Sequence, residues 1–469
     1  MLKLAILLLT LLVASPALAY WSHDPVFSWP HSHHWQELHA VPGQSGFGRF
    51  ATGGRSRPLL PVTTLTDSIS DGVCGAHCSL RDALDACKAA GGGRVVFSSL
   101  AAGGTLNLGG AGEPNINWDC DNSTIDGSTA PGRGIQIVGS PPAPGSSDIF
   151  IIDGADNFVM TNMRFRCTGY TGVPAAAGCV SVNRDIVAVR CGSHILFSHD
   201  SVAWVTDGLL DIGDGVTCSA RDITIQDSLL AESINGFGNL VAGATNRVTL
   251  TRNFFASNGN RNVQFEADSL QVGVTTLNGE AIENFIFSFV YGMRSSTFFA
   301  GGRLNLDMRD NVFKIGGPPN TDTNEKLPIE FKNNENLGMT WMYHDRTLLV
   351  DGGFTWVAAY PGITGVACDP EAVQSANLPC GWPTTSNSLC DQPSEAPCFT
   401  RSNSPLVGIT IPTLGITNVQ SYVLANAGAI LPCRDPLDAK VVADVGTGGP
   451  LFPILGPTIP LPDLSLACP

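Results

Sequence analysis

Charge is scarce in this chain of 469 residues: only 14% of them are Asp, Glu, Lys or Arg, and the net charge is −15. No lysine occurs between Lys88 and Lys314, which excludes lysine-based chemistry from the middle of the chain. The sequence also lacks a basic stripe, so a nucleic-acid partner is not expected. Apart from its N-terminal leader it has no long apolar run, and no membrane span is expected either.

Signatures of several common chemistries are missing as well. There is no Gly-x-Ser-x-Gly elbow, no phosphate-binding loop and no dinucleotide-binding fingerprint. The 14 cysteines include no closely spaced pair of the zinc-binding type, and in an exported chain they predict disulfides instead. Their spacing does not fix the pairing, but two disulfides are expected within the set Cys368, Cys380, Cys390 and Cys398.

The N-terminal 19 residues have the form of a secretory signal peptide. Lys3 precedes an apolar run over residues 4–13, and residues 17–19 provide the small side chains of a cleavage site. The protein is therefore expected to be secreted, either to the periplasm or outside the cell. Its 52 glycines and 31 prolines suit an exported β protein that is rich in turns.

Six segments repeat one pattern, in which alternating apolar residues are followed by a polar residue and then a large apolar one. They begin at Phe158, Ile195, Ile223, Val248, Gly279 and Leu306. A strand that recurs every 25 to 37 residues cannot bury its apolar face alone, so the repeats must stack on one another. Because no helical pattern lies between them, the repeats predict a parallel β-solenoid.

One place in this repeat carries small polar side chains. In five of the six repeats the sixth position holds Asp200, Ser228, Asn253, Asn284 or Asn311, and the first repeat has Asn162 one place earlier. Such side chains can hydrogen-bond up the stack at a bend of the chain. We therefore expect a structural ladder at this position rather than a catalytic group.

The remaining segments fall into distinct regions. Residues 79–89 have helical spacing behind a capping serine, and they are expected to close the N-terminal end of the solenoid. Residues 20–45 form an arm that is rich in Trp and His. This arm is either a metal- or sugar-binding segment or an extended stretch that packs on the solenoid. The predicted regions are the signal peptide (1–19), this arm (20–45), the solenoid (46–320), a disulfide-rich loop region with one strand near 346–350 (321–405), and a tail of strands that packs on the outside (406–469).

Two carboxylates follow the second repeat in the string Asp207-Gly208-Leu209-Leu210-Asp211. If the leucines begin a strand, both carboxylates reach the same side of the solenoid wall. Converging carboxylates without a thiol or imidazole cluster suit a hard cation, and Ca²⁺ is the natural choice outside the cell. The same string is also typical of a simple turn. His199 and Asp200 from the preceding strand, and Glu232 one coil later, could join the group.

Arg261 follows the fourth repeat, two coils after these carboxylates. It comes on the turn after the same strand, so it is expected on the same face. The alternative is an ordinary arginine whose side chain is solvated on the solenoid wall.

Further motifs occur in a fixed order along most of the mature chain. They are GFG (46–48), ATGGR (51–55), VTTL (62–65), SLRDAL (79–84), RVVF (94–97), IDGSTAPGRGI (125–135), HDSVAWVTD (199–207), NFFA (253–256), RN (261–262) and NAGA (426–429). In this order they resemble the secreted pectate lyases, which are polysaccharide lyases. The resemblance implies an all-β fold, a right-handed parallel β-helix with a short N-terminal capping helix and long loops.

The resemblance also implies an activity, β-elimination from pectate (polygalacturonate) or a related polyuronate. In that reaction Ca²⁺ bridges the enzyme and a uronate carboxylate, and an arginine removes the proton at C5 of the sugar. By motif position Arg261 would be the base, and Asp207 and Asp211 would be calcium ligands. His199 and Asn262 would contact the acidic polysaccharide, and the enzyme would act as a monomer.

Three departures from the family pattern affect this assignment. Ser198 stands where an aspartate is expected, which leaves Asp200, two residues on, as a candidate calcium ligand. Val263 and Gln264 replace a Pro-Arg pair after Arg261, and the coil between lacks the lysine or histidine that assists substrate binding. A second hypothesis is therefore a catalytically lapsed β-helix that binds surface polysaccharide in the manner of an adhesin.

Overall fold

Successive strands lie parallel to one another along most of the chain, as the repeats predict. The structure, a computed structural model, describes residues 40–69, 72, 74–109, 115–139, 148–167, 185–205, 207–213, 218–233, 236–267, 276–297, 302–316, 327–332, 339–350, 399–402, 404–408, 411–448 and 461–469. Within these residues lie the helices α1 (Leu80–Ala90), α2 (Ile416–Asn426) and α3 (Pro436–Thr447), and two short 3-10 helices at Phe47–Phe50 and Gly127–Thr129.

The strands are numbered in chain order. They are β1 (Leu59–Pro61), β2 (Gly93–Val96), β3 (Gly104–Asn107), β4 (Ile116–Trp118), β5 (Ser123–Asp126), β6 (Ile135–Gly139), β7 (Phe150–Thr161), β8 (Arg164–Cys167), β9 (Val187–Ser198), β10 (Ser201–Ala203), β11 (Leu210–Ile212), β12 (Ala220–Gln226) and β13 (Leu229–Ala231). They continue with β14 (Phe237–Val241), β15 (Thr245–Thr251), β16 (Phe254–Ala256), β17 (Asn260–Ala267), β18 (Thr276–Ile282), β19 (Phe285–Phe287), β20 (Tyr291–Thr297), β21 (Arg303–Arg309), β22 (Asn311–Lys314), β23 (Leu327–Lys332), β24 (Met339–His344), β25 (Thr347–Val350) and β26 (Phe399–Ser402).

These strands form three parallel stacks, which are the faces of a parallel β-helix. The first stack contains β4, β7, β9, β11, β14, β17, β20 and β23. The second contains β1, β2, β5, β7, β9, β12, β15, β18, β21, β24 and β26, and shares the long bent strands β7 and β9 with the first. The third contains β3, β6, β8, β10, β13, β16, β19, β22 and β25. The predicted fold class is confirmed.

The core lies inside the coils, where apolar side chains of all three stacks meet. Ile223 and Ile225 of β12 point inward and are fully buried, as are Phe254 and Phe285 of the third stack. The rings of Phe254 and Phe285, one coil apart, are stacked with centroids 5.2 Å from each other. Identical positions on successive coils thus contact each other, and this contact is what makes each repeat depend on its neighbours.

The predicted ladder is present at the bend between the second and third stacks. Each backbone N–H of this column donates to the side chain one coil further on, at 3.1 Å from Asp200 to Ser228 and at 3.0 Å from Ser228 to Asn253. The backbone N–H of Asn253 donates to Asn284 Oδ1, and that of Asn284 donates to Asn311 Oδ1, each at 3.0 Å. A buried backbone group left without a partner is destabilising, so these side chains allow the chain to bend inside the core.

Helix α1 packs on β1 and β2, the first two strands of the second stack, and so lies at the N-terminal end where it was expected. The Ser79 side chain accepts from the Asp82 N–H, and the Asp82 carboxylate accepts from the Ser79 N–H, so a complete capping box starts the helix. Gly91 ends it in the left-handed backbone region at φ 65°. Cys87 on this helix is joined to Cys120.

Two predictions about the C-terminal part of the chain are wrong, the end of the solenoid and the secondary structure of the tail. The strands continue past residue 320, where we expected the solenoid to end, because β23, β24 and β26 extend the first two stacks and β25 extends the third. The described part of the tail (406–408, 411–448 and 461–469) contains the helices α2 and α3 rather than strands, and α2 packs on the third stack. Asp435 caps α3 by accepting from the N–H groups of Leu437 and Asp438.

A buried ion network holds this tail against the third stack. Arg164 Nε donates to Asp435 Oδ2 at 2.9 Å, and Arg166 Nη2 donates to Asp438 Oδ1 at 2.7 Å. All four side chains are fully buried. Ser201 Oγ donates to the second oxygen of Asp438 at 2.5 Å. Packing of the tail on the outside of the coils therefore rests on charge pairs as well as on apolar contact.

Disulfides occur as predicted for an exported chain. The pairs in the described part are Cys74–Cys78, Cys87–Cys120, Cys191–Cys218 and Cys433–Cys468. The predicted set of four cysteines between 368 and 398, and the tryptophans and histidines of the N-terminal arm, lie outside the described residues. None of the three α-helices in the described ranges is long and apolar enough to span a membrane.

Candidate functional site

The first stack carries a column of acidic residues where its strands begin. Asp148, Asp185 and Asp207 precede β7, β9 and β11 on three successive coils. The Ile149 N–H donates to the carbonyl of Asp185 at 3.2 Å, and the Gly208 N–H donates to the Asp185 carboxylate at 2.7 Å. Ladder bonds of this kind fix the height of each coil, so they hold the three carboxyl groups on one edge of the face.

Asp211 adds a fourth carboxylate from inside β11. Its neighbours Leu210 and Ile212 point into the core, so the Asp211 side chain points to the outer face. Its Oδ1 accepts from the Leu240 N–H of the next coil at 2.7 Å. Gly208 leaves room for it, because a β carbon at that position would collide with the Asp211 carboxylate. Asp148, Asp185, Asp207 and Asp211 are called the acidic cluster below.

Burial raises the pKa values of Asp185, Asp207 and Asp211, and repulsion between carboxylates adds to it at Asp185 and Asp211. Burial, opposed mainly by Arg261, raises the pKa of Asp211 to about 7. The pKa of Asp185 is raised well above its ordinary value by burial first and then by repulsion from Asp211 and Asp148. Burial also raises the pKa of Asp207, although Arg261 lowers it in part. Carboxylates held this way favour a bound cation, which would relieve their repulsion.

Arg261 lies at the start of β17, two coils beyond Asp207, as the sequence predicted. Its guanidinium covers the ring of Phe237 at 4.3 Å from the ring centre, and its Nη1 is 3.7 Å from Asp207 Oδ1. About a quarter of each side chain of this pair is exposed, 25% for Arg261 and 24% for Asp207. The structure thus brings Asp207, Asp211 and Arg261 together on one accessible face of the first stack.

His199 lies at a different corner of the coil. It occupies the bend between the second and third stacks at φ 59°, with its Nδ1 2.9 Å from Ser198 Oγ. Burial lowers the pKa of His199, and the charged groups that act on it are Asp227, Arg252 and Arg434 rather than the acidic cluster. The sequence placed His199 near Asp207 because the two are close along the chain, but the whole of β10 and another corner separate them.

Asp200 and Glu232 also lie away from the acidic cluster. Asp200 is 1% exposed and belongs to the ladder, where its Oδ1 accepts from the Met163 N–H at 2.8 Å. Glu232 is fully buried, and its Oε2 accepts from Trp204 Nε1 at 2.7 Å. Neither carboxylate reaches the face that carries Asp211, so the assignment of Asp200 as a metal ligand is corrected.

Asn262 is likewise an interior residue. Its Nδ2 donates to the carbonyls of Asn258 and Tyr291, each at 2.9 Å, and it is fully buried. It shapes the turn that presents Arg261 and has no surface with which to contact a polysaccharide. Asn262 therefore supports the site from within, contrary to the role in substrate contact that we expected.

Two members of the acidic cluster were missed by the sequence analysis. Asp148 and Asp185 lie outside the six repeats, which sample mainly the second and third stacks. A signal was nevertheless present, since Asp148-Ile149-Phe150 and Asp185-Ile186-Val187 are two similar strings directly before strands of the first stack. Aligning strand starts rather than repeat starts would have found both carboxylates.

The donor set of the cluster suits a hard cation, since all its ligand atoms are carboxylate oxygens. Among the described residues, the group of three candidate ligand atoms that lie within 4.8 Å of one another is Asp153 with the disulfide-bonded Cys191 and Cys218, which is not a metal site. The oxygens of the acidic cluster do not converge that closely. A side chain would have to turn to complete a calcium site, and Asp207 has the exposure to do so.

Comparisons with known proteins agree on one family. No family model matches the chain. A probable pectate lyase C of Emericella nidulans is 32% identical over 227 residues, which cover 48% of this chain and 44% of that protein. A probable pectate lyase C of Aspergillus flavus is 28% identical over 293 residues, covering 62% of this chain and 58% of that protein. The chain thus spans about half the length of the curated relatives it matches.

A solved structure, that of a thermostable pectate lyase, shares the fold. It matches with a TM-score of 0.50 at 15% identity and covers 83% of this chain and 97% of the other. At that identity the likeness concerns the fold alone. Together with the curated relatives it confirms the resemblance to pectate lyases that the sequence motifs indicate.

Proposed function

We propose that this pectate-lyase-like β-helix cleaves pectate, or a related polyuronate, by calcium-assisted β-elimination. The observation that carries the proposal is the position of Arg261, 3.7 Å from Asp207 and on the same face as the buried carboxylates of Asp185 and Asp211. This combination of one arginine with a carboxylate cluster is what elimination from a uronate requires. The similarity to probable pectate lyases points to the same chemistry.

The reaction needs a base but no nucleophile. In the proposed step the Arg261 guanidine takes the proton from the sugar carbon next to the carboxylate. The electron pair of that C–H bond forms a carbon–carbon double bond, and the glycosidic oxygen leaves from the adjacent carbon with the electrons of the broken C–O bond. The leaving oxygen takes up one proton from solvent, and Arg261 returns the proton it removed to solvent, so that no net proton is gained or lost. The product is one new reducing end and one unsaturated uronate, and no water is consumed.

Arginine is a poor base because it is protonated at ordinary pH. Its use here requires surroundings in which the neutral guanidine is favoured. Asp207 at 3.7 Å acts against this as long as its charge is unbalanced. Phe237 covers one face of the guanidinium and leaves the other edges of Arg261 open toward the outer face. The ring thus directs the side chain and limits its contact with water.

Asp185, Asp207 and Asp211 are the residues that would hold a calcium ion in this site. When bound, Ca²⁺ would neutralise these carboxylates and, as a Lewis acid, withdraw charge from a uronate carboxylate, which makes the neighbouring proton more acidic. Asp211 is fixed by the Leu240 N–H and Asp185 by the Gly208 N–H, so two ligands are preorganised and Asp207 is the adjustable one. The net charge of −15 disfavours approach of a polyanion, and a bound cation would offset the repulsion at this face.

A secreted, monomeric enzyme is part of the same proposal. The disulfides Cys74–Cys78, Cys87–Cys120, Cys191–Cys218 and Cys433–Cys468 fit an oxidising compartment. The substrate would then be an acidic polysaccharide outside the cell.

The test is an assay of the purified protein on polygalacturonate, with added Ca²⁺ and with excess chelator. We expect unsaturated ends, followed by their ultraviolet absorbance, to accumulate with Ca²⁺ and to stop with chelator. Polysaccharide binding without product would instead support the lapsed β-helix. New reducing ends without ultraviolet absorbance would indicate hydrolysis and refute the elimination.

A further inference from the structure

The backbone conformation of Arg261 is unusual for an arginine. It lies in the left-handed region at φ 53°, which non-glycine residues seldom occupy. Its N–H donates to the side-chain oxygen of its own neighbour, Asn260 Oδ1, at 2.7 Å. The direction in which the Arg261 side chain leaves the wall therefore depends on where the Asn260 side chain is held.

The Asn260 side chain is held by an arginine of the next coil. Arg294 Nη1 donates to the same Asn260 Oδ1 at 2.8 Å. The Arg294 guanidinium lies 4.7 Å from the centre of the Tyr291 ring, and the residue is only 8% exposed. The acceptor oxygen of Asn260 thus joins the Arg261 backbone to the Arg294 side chain.

The backbone around Arg261 is tied to the same coil. The Gly259 carbonyl accepts from the N–H groups of Val290 and Tyr291, at 3.0 and 2.8 Å. These bonds fix the chain just before Asn260, but they leave the rotation of the Asn260 side chain free. Arg294 restrains this rotation more than the Arg261 N–H does, since a charged donor forms the stronger kind of hydrogen bond.

We infer that Arg294 is a positioning residue for Arg261 and acts through Asn260. The inference rests on the proposed function, because it matters only if Arg261 is the base. Loss of Arg294 would free the Asn260 amide, loosen the left-handed turn and misalign the Arg261 guanidine with the substrate proton. A misplacement of about 1 Å can lower a rate about a hundredfold, whereas binding through the acidic cluster would persist.

The experiment compares kcat and KM on polygalacturonate for the wild type, Arg294→Met, Arg294→Lys, Asn260→Ala and the double variant Arg294→Met with Asn260→Ala. We expect Arg294→Met and Asn260→Ala each to lower kcat at least about tenfold with KM changed by less than about threefold. The double variant should be no slower than the slower single variant, because both act through one chain of contacts. Arg294→Lys, which can still donate to Asn260, should recover most of the lost kcat.

Arg303→Met is the matched control. Arg303 is also stacked on an aromatic ring, 5.0 Å from the centre of Trp341, and its Nε donates to Asn305 Oδ1 at 2.8 Å, but it lies on β21 of the second stack. It should leave kcat unchanged. Thermal melts of all variants separate rate effects from unfolding. If Arg294→Met does not fold, the comparison of Arg294→Lys with Asn260→Ala decides. A kcat that is lowered in Asn260→Ala and mostly kept in Arg294→Lys supports the inference, and an unchanged kcat in Asn260→Ala refutes it.

Three results would overturn the inference. These are an unchanged kcat in Arg294→Met, effects of the two substitutions that multiply in the double variant, and a rise in KM alone, which would make Arg294 a substrate contact. A wild type without lyase activity would refute the proposed function itself, and the positioning role with it. An active wild type with an unaffected Arg294→Met variant would refute the positioning role alone.

Discussion

The Arg261 guanidinium lies 3.7 Å from the Asp207 carboxylate although two coils separate the backbones of the two residues. At about 4.8 Å per coil, the long arginine side chain has to reach back toward the N-terminal end of the stack. It does so across Phe237, whose ring supports the guanidinium at 4.3 Å. This contact links the acidic cluster to Arg261, the arginine that we propose as the base.

Gly208→Ala should disable the acidic cluster without changing its charge. A β carbon at position 208 would collide with the Asp211 carboxylate, which the Leu240 N–H holds in place. We expect the Ca²⁺ concentration needed for half-maximal activity to rise at least about tenfold, equivalent to about 1.4 kcal/mol of binding free energy. The measurement is a calcium titration of lyase activity, with calcium calorimetry as a second readout.

Gly446→Ala is the control for that variant. Gly446 is exposed on α3, and a β carbon there would meet no atom within 4 Å. It should leave the calcium requirement unchanged and stabilise the helix by about 0.5 to 1 kcal/mol. An equal calcium requirement in Gly208→Ala and Gly446→Ala would show that Asp211 does not contribute to cation binding.

Asp435→Asn should strongly destabilise the fold. The variant leaves Arg164 and Arg166 buried with Asp438 as their remaining carboxylate partner in this network. Removing one partner of a buried ion pair typically lowers the free energy of unfolding by about 3 to 5 kcal/mol. Urea unfolding measures this change. The control Asp119→Asn breaks a pair with Lys88 that is 42% to 46% exposed and should change stability by less than about 1 kcal/mol. Equal losses would mean that the tail does not depend on this network.

Glu280 should make stability depend on pH. Burial raises its pKa from 4.5 to about 7, whereas Thr249, Arg309 and Arg49 lower it and Asp307 raises it further. Between those two pKa values the folded protein holds a proton that the unfolded chain has lost, so stability falls as the pH rises through this window.

Glu280→Gln should remove that contribution. The amide oxygen can still accept from Thr249 Oγ1, which is 2.7 Å from Glu280 Oε2. Relative to the wild type, the free energy of unfolding of the variant should therefore rise by about 1 to 3 kcal/mol between about pH 5 and about pH 8. Urea titrations at both pH values measure it. A difference that does not change with pH would mean that Glu280 is ionised throughout.

The stacked coils could be predicted from sequence because the pattern of each repeat shows which of its side chains are buried. Alternating apolar residues mark the strands, and Asn253, Asn284 and Asn311 mark the bend at the same place in each repeat. The shared face of Asp207, Asp211 and Arg261 was predicted from their positions, since they follow the second and fourth repeats on turns after equivalent strands. What the repeats could not show was the first stack itself, so Asp185, which lies between repeats, was missed.

Other errors came from distance along the chain and from local propensity. His199 and Asp200 are close in sequence to Asp207, but the three-residue strand β10 and the corner that follows it lie between them. The tail segment that forms α2 is rich in β-branched residues such as Ile416 and Val419, which read as a strand. Burial of those side chains against the third stack outweighs this weak propensity.

The most direct measurement is the turnover of Arg261→Lys on polygalacturonate with saturating Ca²⁺, followed by ultraviolet absorbance beside the wild type. An ammonium group cannot reproduce the planar guanidine that takes the proton, so turnover should fall at least about a hundredfold, or about 2.7 kcal/mol in the barrier. Binding of an oligouronate, measured by calorimetry, should change far less. A variant that keeps more than about a tenth of the wild-type rate would contradict the assignment of Arg261 as the base.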